Sequence, residues 1–162
     1  MLPELWLPTT GERRVLPDFD IRGQVTAVPM MLEPYESVFV VFRTPSDTPI
    51  STSISTNYPK LSLLTNVNSP WKVNFNASQR GPKEQVEFSE LLDWTNSDNE
   101  LIKYYSGTAY YSNKFTLQSL SKDKKILIDL GNFTAMAKVK VNGIYAGGLW
   151  TPPYQLDISD LV

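Results

Sequence analysis

Twelve prolines and eight glycines interrupt this chain at short intervals, and that punctuation limits its fold more than any other feature. Proline removes a backbone donor and breaks helix interiors, while glycine weakens helices and strands alike. Short strands joined by turns are therefore expected, and long helices are not. The segments between the breakers agree. Trp71, Val73 and Phe75 alternate with Lys72, Asn74 and Asn76, the period of a half-buried strand. Gln85 to Phe88 repeats the habit, as do Ile126 to Leu130 and Ala137 to Val141. The last of these runs into Asn142-Gly143, the strongest two-residue hairpin signal, with Ile144 to Leu149 as its partner strand.

Other stretches read as strands with less definition. Val38 to Phe42 is a continuous apolar run that predicts a strand buried on both faces. Gly23 to Met31 predicts an edge or bulged strand, because Pro29 cannot donate to a ladder. Ser51 to Thr56, Lys60 to Thr65 and Gly107 to Leu117 predict three further strands. Only Phe88 to Tyr105 has helical spacing, and Asn96 to Asn99 interrupts it, so a short helix or helical loop is expected there. Many short antiparallel strands resolve most naturally into packed sheets, so the fold class is all-β. The softest junction, Tyr58 to Pro70, divides an N-terminal β arm (residues 1–65) from a fuller β domain (residues 66–162).

Composition narrows the chemistry. The 162 residues contain no histidine and no cysteine. Their absence excludes Ser-His-Asp and cysteine nucleophiles, His or Cys zinc sites, iron–sulfur clusters and disulfides. A chain of this length buries roughly 68–70% of its unfolded surface without such staples. Fifteen Lys and Arg against seventeen Asp and Glu give a net charge of −2, which makes nucleic acid an unsuitable partner. No apolar run approaches the roughly 20 residues of a membrane-spanning helix, and no signal peptide is visible at the N-terminus. No cofactor is expected; oxygen donors at Asp98, Asn99 and Glu100 leave a structural calcium open, without EF-hand spacing.

The segment Ile128 to Tyr154, IDLGNFTAMAKVKVNGIYAGGLWTPPY, resembles the sugar-binding jelly-roll domain of glycoside hydrolase family 2 and its relatives. The stretch Trp94 to Tyr111, which ends in SGTAYY, and ESVFVVFR, residues 36–43, resemble the C-terminal region of family 106 α-L-rhamnosidase-like proteins. The resemblance implies a jelly-roll, galactose-binding-like β-sandwich with a smaller N-terminal β element. It also implies a non-catalytic module that binds carbohydrate or braces the catalytic domain of the same polypeptide. Location would be the periplasm or exterior of a bacterium. In such domains the chain usually continues past a segment like Asp157 to Val162, so this one is expected to be a fragment or to lack one strand. An unfilled strand slot invites dimerisation.

Sugar sites pair flat aromatic rings with amides or carboxylates. The candidate ligand-binding residues are Trp150, Tyr154, Asn132, Asn142, Trp94 and Tyr105. Trp150 follows a Gly-Gly strand end and precedes Pro152-Pro153, a loop position. Trp71, first in its alternating strand, reads instead as core. Asn132 follows Gly131 and also reads as an ordinary turn residue. The carboxylates Glu84, Glu87, Glu90, Asp93, Asp98 and Glu100 fall where solvated surface is expected, and no catalytic residue is assigned. The competing reading is a structural or protein-interaction β-sandwich with no sugar affinity.

Overall fold

The computed structural model describes residues 1–45, 47, 56–68, 70–118 and 124–162. In chain order its strands are β1 (Leu2–Trp6), β2 (Arg13–Val15), β3 (Asp20–Arg22), β4 (Val25–Ala27), β5 (Phe39–Thr44) and β6 (Trp71–Asn74). They continue as β7 (Val86–Phe88), β8 (Tyr110–Ser112), β9 (Leu127–Asp129), β10 (Ala137–Val141), β11 (Ile144–Leu149) and β12 (Gln155–Asp157). Every strand pairing is antiparallel. The one α-helix among the described residues, α1, is the single turn Glu100–Lys103, capped by the Asn99 side chain accepting from the Leu101 N–H. The fold class is all-β, as the punctuation implies.

Two compact units are present, Met1–Ser62 with Ser121–Val162, and Leu63–Leu120. In the first, β1 is the centre of a three-stranded sheet ordered β2-β1-β5. Leu2 and Leu5 on it are buried, as is Leu16, which lies fully inside. Further along the chain, β9 pairs with β12 and β10 with β11, and the two ladders pack as a small sandwich. Leu149, Leu156 and Ile158 are its centre, with Ile126, Ile128, Leu130, Val139 and Val141 around them. The ladders approach closely because β11 carries Gly147. A Cβ there would stand 2.7 Å from a methyl of Leu156.

The second unit is the sheet β7-β6-β8 closed by α1. The alternating strand turns Val73 and Phe75 inward onto Phe88, Ile102 and Tyr105. Phe75, Phe88, Trp94, Tyr105 and Tyr111 meet edge-on in several pairs, the geometry that the ring quadrupoles favour.

Several expectations are corrected. Val38 to Phe42 forms strand β5, but it is not buried on both faces: Phe39 is 61% exposed and Phe42 43%. The strand lies at the side of its sheet, so apolar character alone does not bring it cover. No strand forms over Lys60 to Thr65. Gly23 to Met31 pairs only at Val25–Ala27, ending before Pro29, and Gly107 to Leu117 pairs only at Tyr110–Ser112. Residues 51–55 of the strand expected at Ser51 to Thr56 lie outside the described residues. β1 has no counterpart among the expected strands, and it is central to its sheet although it contains Pro3. The ladder tolerates Pro3 through a register shift between Leu2 and Pro3, and the Pro3 carbonyl still accepts from Leu16 N–H at 2.9 Å.

The β10–β11 hairpin turns at Asn142 (φ 50°) and Gly143 (φ 83°), both positive as a type I′ turn requires. No atom outside the chain neighbours lies within 4 Å of a Cβ built on Gly143, so a side chain there meets only backbone strain. Gly143→Val is therefore expected to cost about 2 kcal/mol. Thermal unfolding checks this, and an unchanged midpoint contradicts the turn geometry.

Candidate functional site

The four tryptophans sort themselves by what their indole N–H does. Trp6 donates to Glu4 Oε2 at 3.0 Å. The Arg13 and Arg43 guanidinium groups lie 4.1 and 5.2 Å from its ring centroid. Trp94 donates to the Tyr111 hydroxyl at 2.6 Å and packs on the ring cluster of its unit. Those two rings are engaged from within. Neither Trp71 nor Trp150 spends its N–H on a partner among the described residues.

Trp150 is 58% exposed. It follows Leu149, the buried last residue of β11, so the strand anchors its backbone in the sandwich core while the ring stays outside. The neighbouring glycines leave no vacant space for a ligand. Gly147 is filled by Leu156, and the Tyr145 hydroxyl sits 3.1 Å from where a Gly148 Cβ would be.

The other sequence candidates are placed as follows. Tyr154 is half-buried and packs against Phe133, the rings tilted by 44° with centroids 4.4 Å apart. Asn142 is exposed, but its Nδ2 donates to the Leu161 carbonyl at 2.7 Å. Asn132 is exposed, in the loop begun by Gly131 at φ 65°, where the Asp129 carboxylate accepts from Gly131 N–H at 2.7 Å. Tyr105 is buried, and its hydroxyl accepts from Asn76 N–H at 3.2 Å and donates to the Thr108 carbonyl at 2.9 Å. Its neighbour Tyr104 is exposed. Trp94 and Tyr105 lie together, with centroids 5.6 Å apart, in the Leu63–Leu120 unit. The remaining four belong to the other unit. Of the six candidates, only Trp150 and Asn132 are exposed with their polar groups uncommitted among the described residues.

Electrostatics mark structure more than chemistry. Trp6 N–H holds the Glu4 carboxyl below the ordinary range, with Thr44 and Arg43 adding to it against the effect of burial. Asp93 is held low by the backbone and hydroxyl of Thr95. Burial pushes Asp157 up, but Ser159 and Lys125 outweigh it and the net direction is down. Lys125 bonds Glu12 at 3.1 Å and lies 3.3 Å from Asp157. Among the described residues, no group of three or more Asp or Glu converges on a point that would hold a metal ion.

One shallow cleft does bring unlike groups together. It encloses about 380 Å³ between Val67, Asn68, Trp71, Ser89, Glu90 and Leu91, at the end of the β6–β7 ladder where Trp71 opposes Phe88. The sequence reading missed it. Trp71 begins an alternating strand and so reads as core; it does pack against the Val73, Phe75 and Phe88 cluster, but it is only half-buried, with one edge on Tyr111 at 6.3 Å.

No family model matches the chain. A beta-glucuronidase-like protein of Formosa agariphila is 38% identical over 92 residues, covering 56% of this chain and 8% of its own length. The structure of a rhamnosidase from Novosphingobium sp. PP1Y superposes with a TM-score of 0.82 at 32% identity, over 99% of this chain and 15% of that one. The chain is similar to a β segment of glycoside hydrolases. It spans only a small part of either relative.

Proposed function

We propose that this chain is a non-catalytic region of a glycoside hydrolase polypeptide, and that it contacts glycan through Trp150. The observation that carries the reading is the exposed indole, with its N–H uncommitted, directly after Leu149, the buried last residue of β11. A flat ring held by a rigid strand covers the apolar face of a sugar with little entropy lost on binding. A glycosidase acid is normally raised in pKa by its surroundings, whereas Glu4, Asp93 and Asp157 are each held down and serve structural hydrogen bonds instead.

Single-site contacts of this kind are weak, so binding is expected on the order of millimolar, about −4 kcal/mol. The test follows the four indole N–H signals by NMR as methyl glycosides and oligosaccharides are added. Trp6 and Trp94 serve as internal controls. A saturable shift at Trp150, lost in Trp150→Phe without unfolding, is the expected result. No shift at Trp150 with any sugar removes the proposal.

A second reading has its own observation. Strand β5 exposes Phe39 on one face of its sheet and Phe42 on the other, more apolar surface than an isolated strand keeps uncovered without cost. Under this reading the chain braces the remainder of the polypeptide, which packs against β5, and sugar moves no indole signal.

A further inference from the structure

We propose that the Trp71 cleft is a second saccharide subsite, one that takes a neutral pyranose unit. The inference rests on the carbohydrate reading above but uses different residues, in the other compact unit. Three features of the cleft carry it.

The first is size and composition. A volume of about 380 Å³ falls within the range of small-ligand sites, near its lower end. The walls combine an indole and two aliphatic side chains with an amide, a hydroxyl and a carboxylate. That mixture suits a molecule with apolar C–H faces and a rim of hydroxyls.

The second is unspent bonding capacity. Asn68, Ser89 and Glu90 make no side-chain hydrogen bond or ion pair among the described residues, and the Trp71 N–H is likewise uncommitted. Several other polar side chains of this molecule have structural tasks: Asn76 and Asp93 cap 3₁₀ turns, Asn99 caps α1, and Asn57 clips distant backbone. Asn68, Ser89 and Glu90 have no such task among the described residues. A carboxylate accepts from two vicinal hydroxyls, and an amide both donates and accepts, so this set can pair with the edge of one sugar ring.

The third is charge. Glu90 lines the cleft and, among the described residues, no lysine or arginine does. A uronate or sulfated sugar would place its anion beside that carboxylate with no cation to offset it. The cleft is therefore selective for neutral rings and against acidic ones.

Rigidity supports the arrangement. Trp71 pairs with Phe88 in the ladder and meets Tyr111 edge-on, so the ring forms a fixed wall.

The experiment uses the whole chain and the Trp71 indole N–H signal, titrated separately with methyl α-L-rhamnoside, methyl β-D-glucoside and methyl β-D-glucuronide. A saturable Trp71 shift is expected with at least one neutral glycoside, and at least fivefold weaker response with the glucuronide. The double variant N68A/E90A, at exposed positions that leave the core intact, should weaken the neutral sugar at least fivefold. Glu90→Gln alone should narrow the gap between neutral and acidic sugar. A static Trp71 signal overturns the proposal, as does an equal response to the glucuronide or one that survives N68A/E90A. The Trp150 signal in the same spectra separates the two sites. Movement at Trp150 alone sinks the cleft and keeps the first reading; movement at Trp71 alone does the reverse.

Discussion

Replacing Asn57 with alanine is expected to destabilise the Met1–Ser62 and Ser121–Val162 unit by about 3 kcal/mol, because it orphans three backbone groups at once. Asn57 is only 2% exposed. Its Nδ2 donates to the carbonyls of Asp18 at 2.7 Å and Pro29 at 3.1 Å, and its Oδ1 accepts from Asp18 N–H at 2.9 Å. One side chain thus substitutes for a ladder where the chain has no strand. Its own carbonyl accepts from Arg14 at 2.8 Å, so the residue is fixed from the β2 side as well. Alanine leaves a void, two carbonyls without this donor and the Asp18 N–H without this acceptor. Asn57→Asp should do no less damage, since its carboxylate turns lone pairs toward those same oxygens. For a domain of this size the loss corresponds to roughly 6–12 °C in thermal midpoint. A midpoint within about 2 °C of wild type for Asn57→Ala would show that the clip contributes nothing.

That clip also shows where the sequence stops being informative. Asn57 falls between the strand expected at Ser51 to Thr56 and the soft junction that begins at Tyr58, and its partners are 39 and 28 residues away. Periodicity reports only which neighbours share a face. It located the β10–β11 hairpin, because turn chemistry and alternation there are local and agree. It located the Trp71–Phe75 strand for the same reason. It failed at β5, where five consecutive apolar residues from Val38 imply burial only if something covers both faces. It offered nothing at β1, whose ladder accommodates Pro3 through a register shift. At the candidate site the same limit holds. An aromatic next to a turn is equally a platform or a brick until the partners of its polar edge are known. Tyr105 and Trp94 spend theirs inside; Trp150 and Trp71 do not.

Gly81→Ala is expected to be the most damaging single methyl in the Leu63–Leu120 unit, at about 3 kcal/mol, the upper end of overpacking costs. A Cβ at Gly81 would stand 2.7 Å from Phe75 Cβ and 2.8 Å from the Tyr105 ring. Neither neighbour can yield. Phe75 Cβ is tied to the backbone beside β6, and Phe75 is buried in the ring cluster. Tyr105 is held at its far end by Asn76 N–H and the Thr108 carbonyl, and its ring meets Phe75 edge-on at 5.0 Å. Gly81 itself is fixed, because its N–H donates to the Asn76 carbonyl at 3.2 Å. The added methyl therefore forces either Tyr105 off its two hydrogen bonds or the Asn76 turn away from β6. Both routes disturb the same ring cluster, so near-ultraviolet circular dichroism should weaken along with a midpoint drop of roughly 6–12 °C. Lys83→Ala, at an exposed position two residues on, should stay within about 0.5 kcal/mol of wild type. If Gly81→Ala matches Lys83→Ala in both measurements, Phe75 and Tyr105 do not close over Gly81, and the rigid wall behind the indole cluster is lost with them.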